Sequence, residues 1–302
     1  MSNAVLQLED RLTRLSLMPA VGGSIANWVT KDTHQPLLRL SDEQALASGS
    51  PRRLACYPLA PWSNRIAEGG FECPDGWLAL TANTDHDRCP IHGSAWQQAW
   101  HVEEHSSSHA HLSLTSSAPF AYRAEQFIEL CEGQLILRMR VTHLDTKAAW
   151  HGLGLHPYLP RTAQTRLCAS AQTVWKATDD KLPNSECALP QDWNFNHLKP
   201  LPDNLVDHAF TNWDGKCLIT QADAGYQLAC HVSGADYFLL FCPVGGDFFC
   251  FEPVSHPINA HHLPGKPGLR LLQQGQSTEL QLSLHYQPLA EVEQAVQGKA
   301  DV

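Results

Sequence analysis

The chain has no surplus of cationic residues, no closely spaced cysteine pair and no long apolar run, and each lack removes a class of function. Lys and Arg number 21 against 31 Asp and Glu, a formal net charge of −10. So acidic a chain has little with which to neutralise phosphates, which argues against nucleic acid and anionic membrane surfaces as partners. The 10 cysteines stand singly between Cys56 and Cys250, none in a C-x-x-C arrangement. Neither a zinc ribbon nor a dithiol redox motif is signalled, and reduced, buried thiols are expected. The N-terminal stretch MSNAVLQLEDRLTRLSL has no basic segment followed by an apolar core, and no apolar run reaches the length of a membrane span. A cytoplasmic protein with a small or neutral partner, working as a monomer or homodimer, is the expectation. Also missing are a helical pattern long enough for a βαβ unit, a repeat, a low-complexity linker and a break in composition. One domain over residues 1–302 follows.

What is present is strand grammar. RLSLMPAVGGSIANWV alternates short apolar runs with Pro19 and Gly22-Gly23. In QFIELCEGQLILRMRVTHL, Leu135, Leu137, Met139 and Val141 share one face, opposite Arg138 and Arg140, with the turn at Glu132-Gly133. Residues 41–56 are polar and weakly patterned, and 176–205 read as a long excursion with little periodicity. Leu289–Gly298 could close the chain with a short helix. The organising stretch is Tyr237–Ala260, where two apolar runs flank Pro243-Val244-Gly245-Gly246-Asp247 and predict a buried hairpin. Its second strand is expected to end on Glu252, because Pro253 cannot donate to a ladder. The whole reads as an all-β, antiparallel, sandwich-like domain.

Polar residues of catalytic type recur in Pro-, Gly- or aromatic-rich contexts: Asn64-Arg65 in NRIAEGGF, Ile91-His92-Gly93, His156-Pro157-Tyr158, Asp207-His208-Ala209-Phe210, and EPVSHPINA from Glu252 to Ala260. Each string is weak alone. In this order, over most of the chain, they resemble the aldose 1-epimerase (mutarotase) family. The resemblance implies a large antiparallel β-sandwich of the galactose mutarotase-like kind, with a sugar lying in an open cleft. Fold alone does not license the function, since related sandwiches serve lyases and hydrolases.

Interconverting the anomers of a cyclic sugar requires a base at the C1 hydroxyl and an acid at the ring oxygen, each with a pKa near ambient pH, and neither metal nor cofactor. The resemblance implies Glu252 as the base, His156 as the acid and His92 as a second histidine near the ring oxygen. It implies Arg65, Asp207 and the adjoining Asn64 as ligands of sugar hydroxyls. Taken singly, Arg65 could equally pair a buried acid, His92 could bond to backbone in a turn, and Asp207 could cap one. His256 is expected to buttress the loop after Glu252, while Trp62 and Trp96 could line the cleft or pack in the core. His109-Ala110-His111 puts two imidazoles on one strand face, but its own segment supplies no carboxylate, which favours a surface strand over a metal site. His92-Gly93 is followed by Ser94-Ala95-Trp96 with no Arg close after it, which, with the acidic net charge, favours a neutral aldose over a hexose 6-phosphate. A sugar-binding protein without catalysis, and a lyase or hydrolase on a similar sandwich, are the other classes.

Overall fold

In the computed structural model, which describes residues 4–290, two large antiparallel sheets dominate. One has nine strands and is built around Gln134–His143, which pairs with Tyr122–Cys131 on one side and Ser277–Pro288 on the other. The alternation expected for this strand holds along its whole length. Leu135, Leu137, Met139 and Val141 are buried, while Arg140 faces outward and pairs with Glu279 across the ladder.

The other sheet has eight strands, and its centre is the expected hairpin, Tyr237–Cys242 with Phe248–Val254. On one side Tyr237–Cys242 pairs with Val206–Thr211. Beyond that lie Thr173–Ala177 and Pro183–Ala188, a hairpin that runs into the stretch 176–205 expected to lack periodicity. On the other side Phe248–Val254 meets two short pieces, Gly154–Leu155 and Tyr158–Pro160. Phe210, Phe238, Phe249 and Phe251 point from this sheet into the main core, shared with Leu135, Met139 and Leu282 of the nine-stranded sheet. The opposite face is covered by loops rather than by a sheet, through a second apolar cluster of Tyr57, Ile91, Trp96, Leu239, Cys250 and Val254. Strand Phe248–Val254 is therefore buried on both sides, which is why its sequence reads as a nearly continuous apolar run.

The weakly patterned residues 41–56 contain the short helix Glu43–Ala47, capped by Asp42, and a turn at Pro51–Arg53. From residue 291 onward, the helix expected over 289–298 lies outside the described residues.

Candidate active site

Register brings the two principal site residues together. Strand Phe248–Val254 does not stop at Glu252: it runs on through Pro253, which pairs with Phe238, to Val254 opposite Tyr237. The proline is tolerated because the other side of the strand is open there. Tyr158, Leu159 and Pro160 pair with Cys250, Phe249 and Phe248, and Gly154 pairs with Val254, so residues 251–253 have no ladder partner on that side. Counting two residues on from the Gly154–Val254 pair, or two back from Tyr158–Cys250, sets His156 opposite Glu252. His156 Nε2 lies 3.2 Å from Glu252 Oε1. Pro157 and Pro253 thus open a gap in the ladder where two functional side chains meet without competing for backbone bonds.

The loops above this gap carry the rest. Asn64 and His92 both adopt positive φ, at 55° and 63°. They are tied reciprocally: His92 N–H donates to Asn64 O, and Asn64 N–H donates to His92 Nδ1, each at 3.0 Å. That second bond leaves the proton of neutral His92 on Nε2. Asn64 Oδ1 accepts from Arg65 N–H and from Arg65 Nη1, at 2.8 and 3.1 Å. Arg65 Nε donates to Asp87 Oδ2 at 2.6 Å in a largely buried ion pair. Arg65 is therefore both a partner of a buried acid and a wall of the cavity, and His92 is likewise both bonded to backbone and exposed to the site. Asp207 caps no turn; it lies within strand Val206–Thr211.

The segment after Glu252 acts as a brace. His256 Nε2 accepts from Ser63 N–H at 3.0 Å while its Nδ1 meets Pro257 O at 2.8 Å, as a neutral ring with the proton on Nδ1. Asn259 N–H donates to Arg65 O, and its side-chain oxygen accepts from Ala67 N–H. The buttress role expected for His256 matches this geometry.

Burial sets the electrostatics. Loss of water pushes the Glu252 carboxyl well above the usual carboxylate range, aided by Asp207 and opposed by Arg65. Burial also lowers His156 to about 3. Burial thus disfavours the charged form of both partners, the Glu252 carboxylate and the His156 imidazolium. His92 is lowered well below the usual range by burial and then by His156 and nearby arginines. Burial raises Asp207, with Arg65 and Lys181 opposing.

Glu252, His156, His92, Asn64, Arg65 and Asp207 all line one cavity of ≈ 190 Å³. A larger one, ≈ 630 Å³ around Arg161, Thr165 and Val244, contains none of them. The sequence reading missed three contributors. Arg52 and Lys181 line the same cavity, and Tyr57 packs its ring on His156 with centroids 4.5 Å apart. The stretch after His92 supplies no Arg, but in space Arg52 lines the same cavity as His92. Arg52 comes from the Pro51–Arg53 turn, held by Arg39 Nη2 on Arg52 O at 2.8 Å, and Lys181 from the Thr173–Ala177/Pro183–Ala188 hairpin. No motif marked either. Trp96 donates to Ile91 O and Gly93 O beneath the His92 loop, and Trp62 is packed in the main core; neither lines the cavity. His109 and His111 do meet carboxylates, Glu104 at 2.9 Å and Glu125 at 3.2 Å, but from neighbouring strands rather than from their own. His261 is buried against Phe71, and His262 bonds to Gly70 O.

A family model described as aldose 1-epimerase matches residues 5–285. The chain belongs to the aldose 1-epimerase family. Among the relatives of this chain is the uncharacterized protein YphB of Escherichia coli K12, 30% identical over 272 residues, spanning 87% of this chain and 92% of that one. A crystal structure of a provisionally assigned aldose 1-epimerase from Escherichia coli K12 superposes with a TM-score of 0.89 at 30% identity, covering 95% of this chain and 99% of the other. A galactose mutarotase-like protein from Clostridium acetobutylicum shares the fold with a TM-score of 0.82 at 17% identity, over 94% of this chain and 95% of its own. The all-β fold is that of the galactose mutarotase-like proteins. Family membership and these neighbours support a function of the aldose 1-epimerase type.

Proposed function

We propose that the protein interconverts the α and β anomers of a free aldose, such as galactose or glucose, by acid–base opening of the ring. The observation that carries this reading is the buried pair of Glu252 and His156, 3.2 Å apart in a sugar-sized cavity. Glu252 takes the C1 hydroxyl proton and His156 gives one to the ring oxygen. The C1–O5 electron pair passes to O5 as C1 becomes an aldehyde. Rotation about C1–C2 and the reverse transfers close the other anomer, so a single proton cycles within the pair. Burial holds that proton on Glu252 when the cavity is empty. A sugar hydroxyl donating to the carboxylate replaces the lost water, favours the charged form and lets the proton pass to His156. The Nε2–H of His92 stabilises charge developing on O5. Arg65 and Asp207 offer donors and an acceptor to the sugar hydroxyls, and the Asn64 amide nitrogen, whose oxygen is already engaged, offers a further donor.

Polarimetry on freshly dissolved α-D-galactose and α-D-glucose, with wild type and Glu252→Gln side by side, tests this. Acceleration by wild type is expected, with turnover lower by about two to four orders of magnitude in the variant. Near-normal turnover in Glu252→Gln would overturn the role of the base. Sugar binding without exchange of any aldose by wild type would leave a sugar-binding protein.

One observation favours a second reading of the substrate, a hexose 6-phosphate. The Arg52 guanidinium lies 5.2 Å from the Trp96 ring centroid but has no carboxylate partner among the described residues, in contrast to Arg65. On this reading Arg52→Ala raises KM for glucose 6-phosphate by about tenfold or more, the loss of one charge-assisted hydrogen bond, and leaves KM for glucose unchanged. Equal effects on both sugars would remove it.

A further inference from the structure

The strand that carries Glu252 also carries Cys250 on the same face, two residues earlier. One imidazole nitrogen of His156, Cys250 Sγ and a Glu252 carboxylate oxygen all lie within 4.8 Å of one another. The three residues are 7%, 0% and 3% exposed, and Glu252 Oε2 is buried with no hydrogen-bond partner among the described residues. We infer that these donors form a zinc-binding site inside the catalytic cavity, and that zinc bound there blocks the reaction reversibly. The inhibitory part rests on the epimerase reading; the binding part does not.

Donor chemistry selects the ion. One imidazole, one thiolate and one carboxylate suit a borderline-soft divalent cation with tetrahedral preference, and exclude magnesium and calcium, which require oxygen ligands. Zinc bonds of about 2.0–2.3 Å at tetrahedral angles separate donors by roughly 3.4–3.6 Å. The His156–Glu252 distance is 3.2 Å, and the other separations stay below 4.8 Å, so closure asks for side-chain adjustment on the order of 1 Å. Because His156 and Glu252 line the cavity, the fourth position opens toward water or a sugar hydroxyl.

Binding balances charge. Zinc displaces the Cys250 thiol proton to solvent, and the thiolate and the Glu252 carboxylate are then two anionic ligands against a doubly charged ion. The metal then occupies the place of the mobile proton, and both ends of the relay are engaged. Cys250 has no part in the acid–base relay, so it separates metal binding from catalysis.

Cobalt(II) serves as the optical probe, titrated into the full chain of wild type, Cys250→Ala and Cys250→Ser, with zinc as competitor. Wild type is expected to show a thiolate-to-cobalt charge-transfer band that zinc abolishes at one equivalent. Both variants should lose the band, and their zinc affinity should fall by at least the roughly 10–100-fold that even an outer-shell partner is worth. In metal-free buffer both should turn over sugar as wild type does, with zinc inhibition relieved. A wild-type spectrum without a thiolate band, or one unchanged by Cys250→Ser, overturns the site. Loss of the band in the variants with no anomer exchange by any protein upholds the metal site and rejects the epimerase reading. Normal exchange that zinc inhibits equally in all three proteins upholds the epimerase and rejects the site.

Discussion

At Glu252, function and stability oppose each other. A carboxyl whose folded pKa is raised stabilises the native state only at low pH, and that contribution is lost as pH rises from the unfolded value near 4.5 through the folded one. Glu252→Gln keeps the shape and a donor for His156 but removes the charge that burial disfavours. The variant is therefore expected to lose turnover yet be more stable than wild type at pH 8, with the gain shrinking toward pH 4.5. Urea midpoints at the two pH values check this, and a variant less stable at pH 8 would show that the carboxylate is held by charge partners rather than stranded by burial. Single residues were also where the sequence was most legible. The identities of Glu252, His156 and His92 were readable from their Pro and Gly neighbours, because those neighbours impose backbone shapes that few other residues adopt.

At the scale of elements, the Ile91-His92-Gly93 turn shows why the motif is so short. Gly93 has φ +64°, and a Cβ there would sit 2.1 Å from Ala60 O and 2.6 Å from Pro61 N, backbone atoms of the neighbouring loop. Gly245 has the same φ with nothing within 4 Å. Gly93→Ala should thus destabilise by about 2–4 kcal/mol, against about 1 kcal/mol for Gly245→Ala, and should lower turnover by displacing His92. Denaturation midpoints and anomer exchange below the melting range test the contrast; equal, small losses would mean the turn yields freely. The hairpin around Gly245-Gly246 and the alternating strand Gln134–His143 were legible because period and turn chemistry are local. The continuation through Pro253 was not, because the ladder gap that admits a proline is made by Gly154 and Tyr158, nearly a hundred residues earlier in the chain. The same holds for Arg52 and Lys181, which sit in a turn and a hairpin with no periodic signature.

The whole molecule buries a set of histidines besides His156, which faces Glu252. Burial lowers His151 to about 3, His256 to about 4 and His261 well below its ordinary value. A histidine kept neutral by the fold leaves stability intact above the unfolded pKa near 6.5 and removes it as pH falls toward the folded value, since only the unfolded chain binds the proton. Each contributes up to about 1.4 kcal/mol per pH unit in that window. The urea midpoint is therefore expected to drop steeply between pH 6.5 and 5, and a flat profile would show that these rings take up the proton in the folded chain as readily as in the unfolded one. The sequence by itself determined the all-β class and the central hairpin, since pattern and turns act over a few residues, and its motifs carried the family resemblance that singled out Glu252 and His156 as candidates. Only the tertiary structure decided that His156 stands opposite Glu252, that Asp87 holds Arg65, that Arg52 reaches the cavity and that Cys250 joins the pair. Those contacts depend on strand register and loop packing between distant segments, and no local pattern encodes a register.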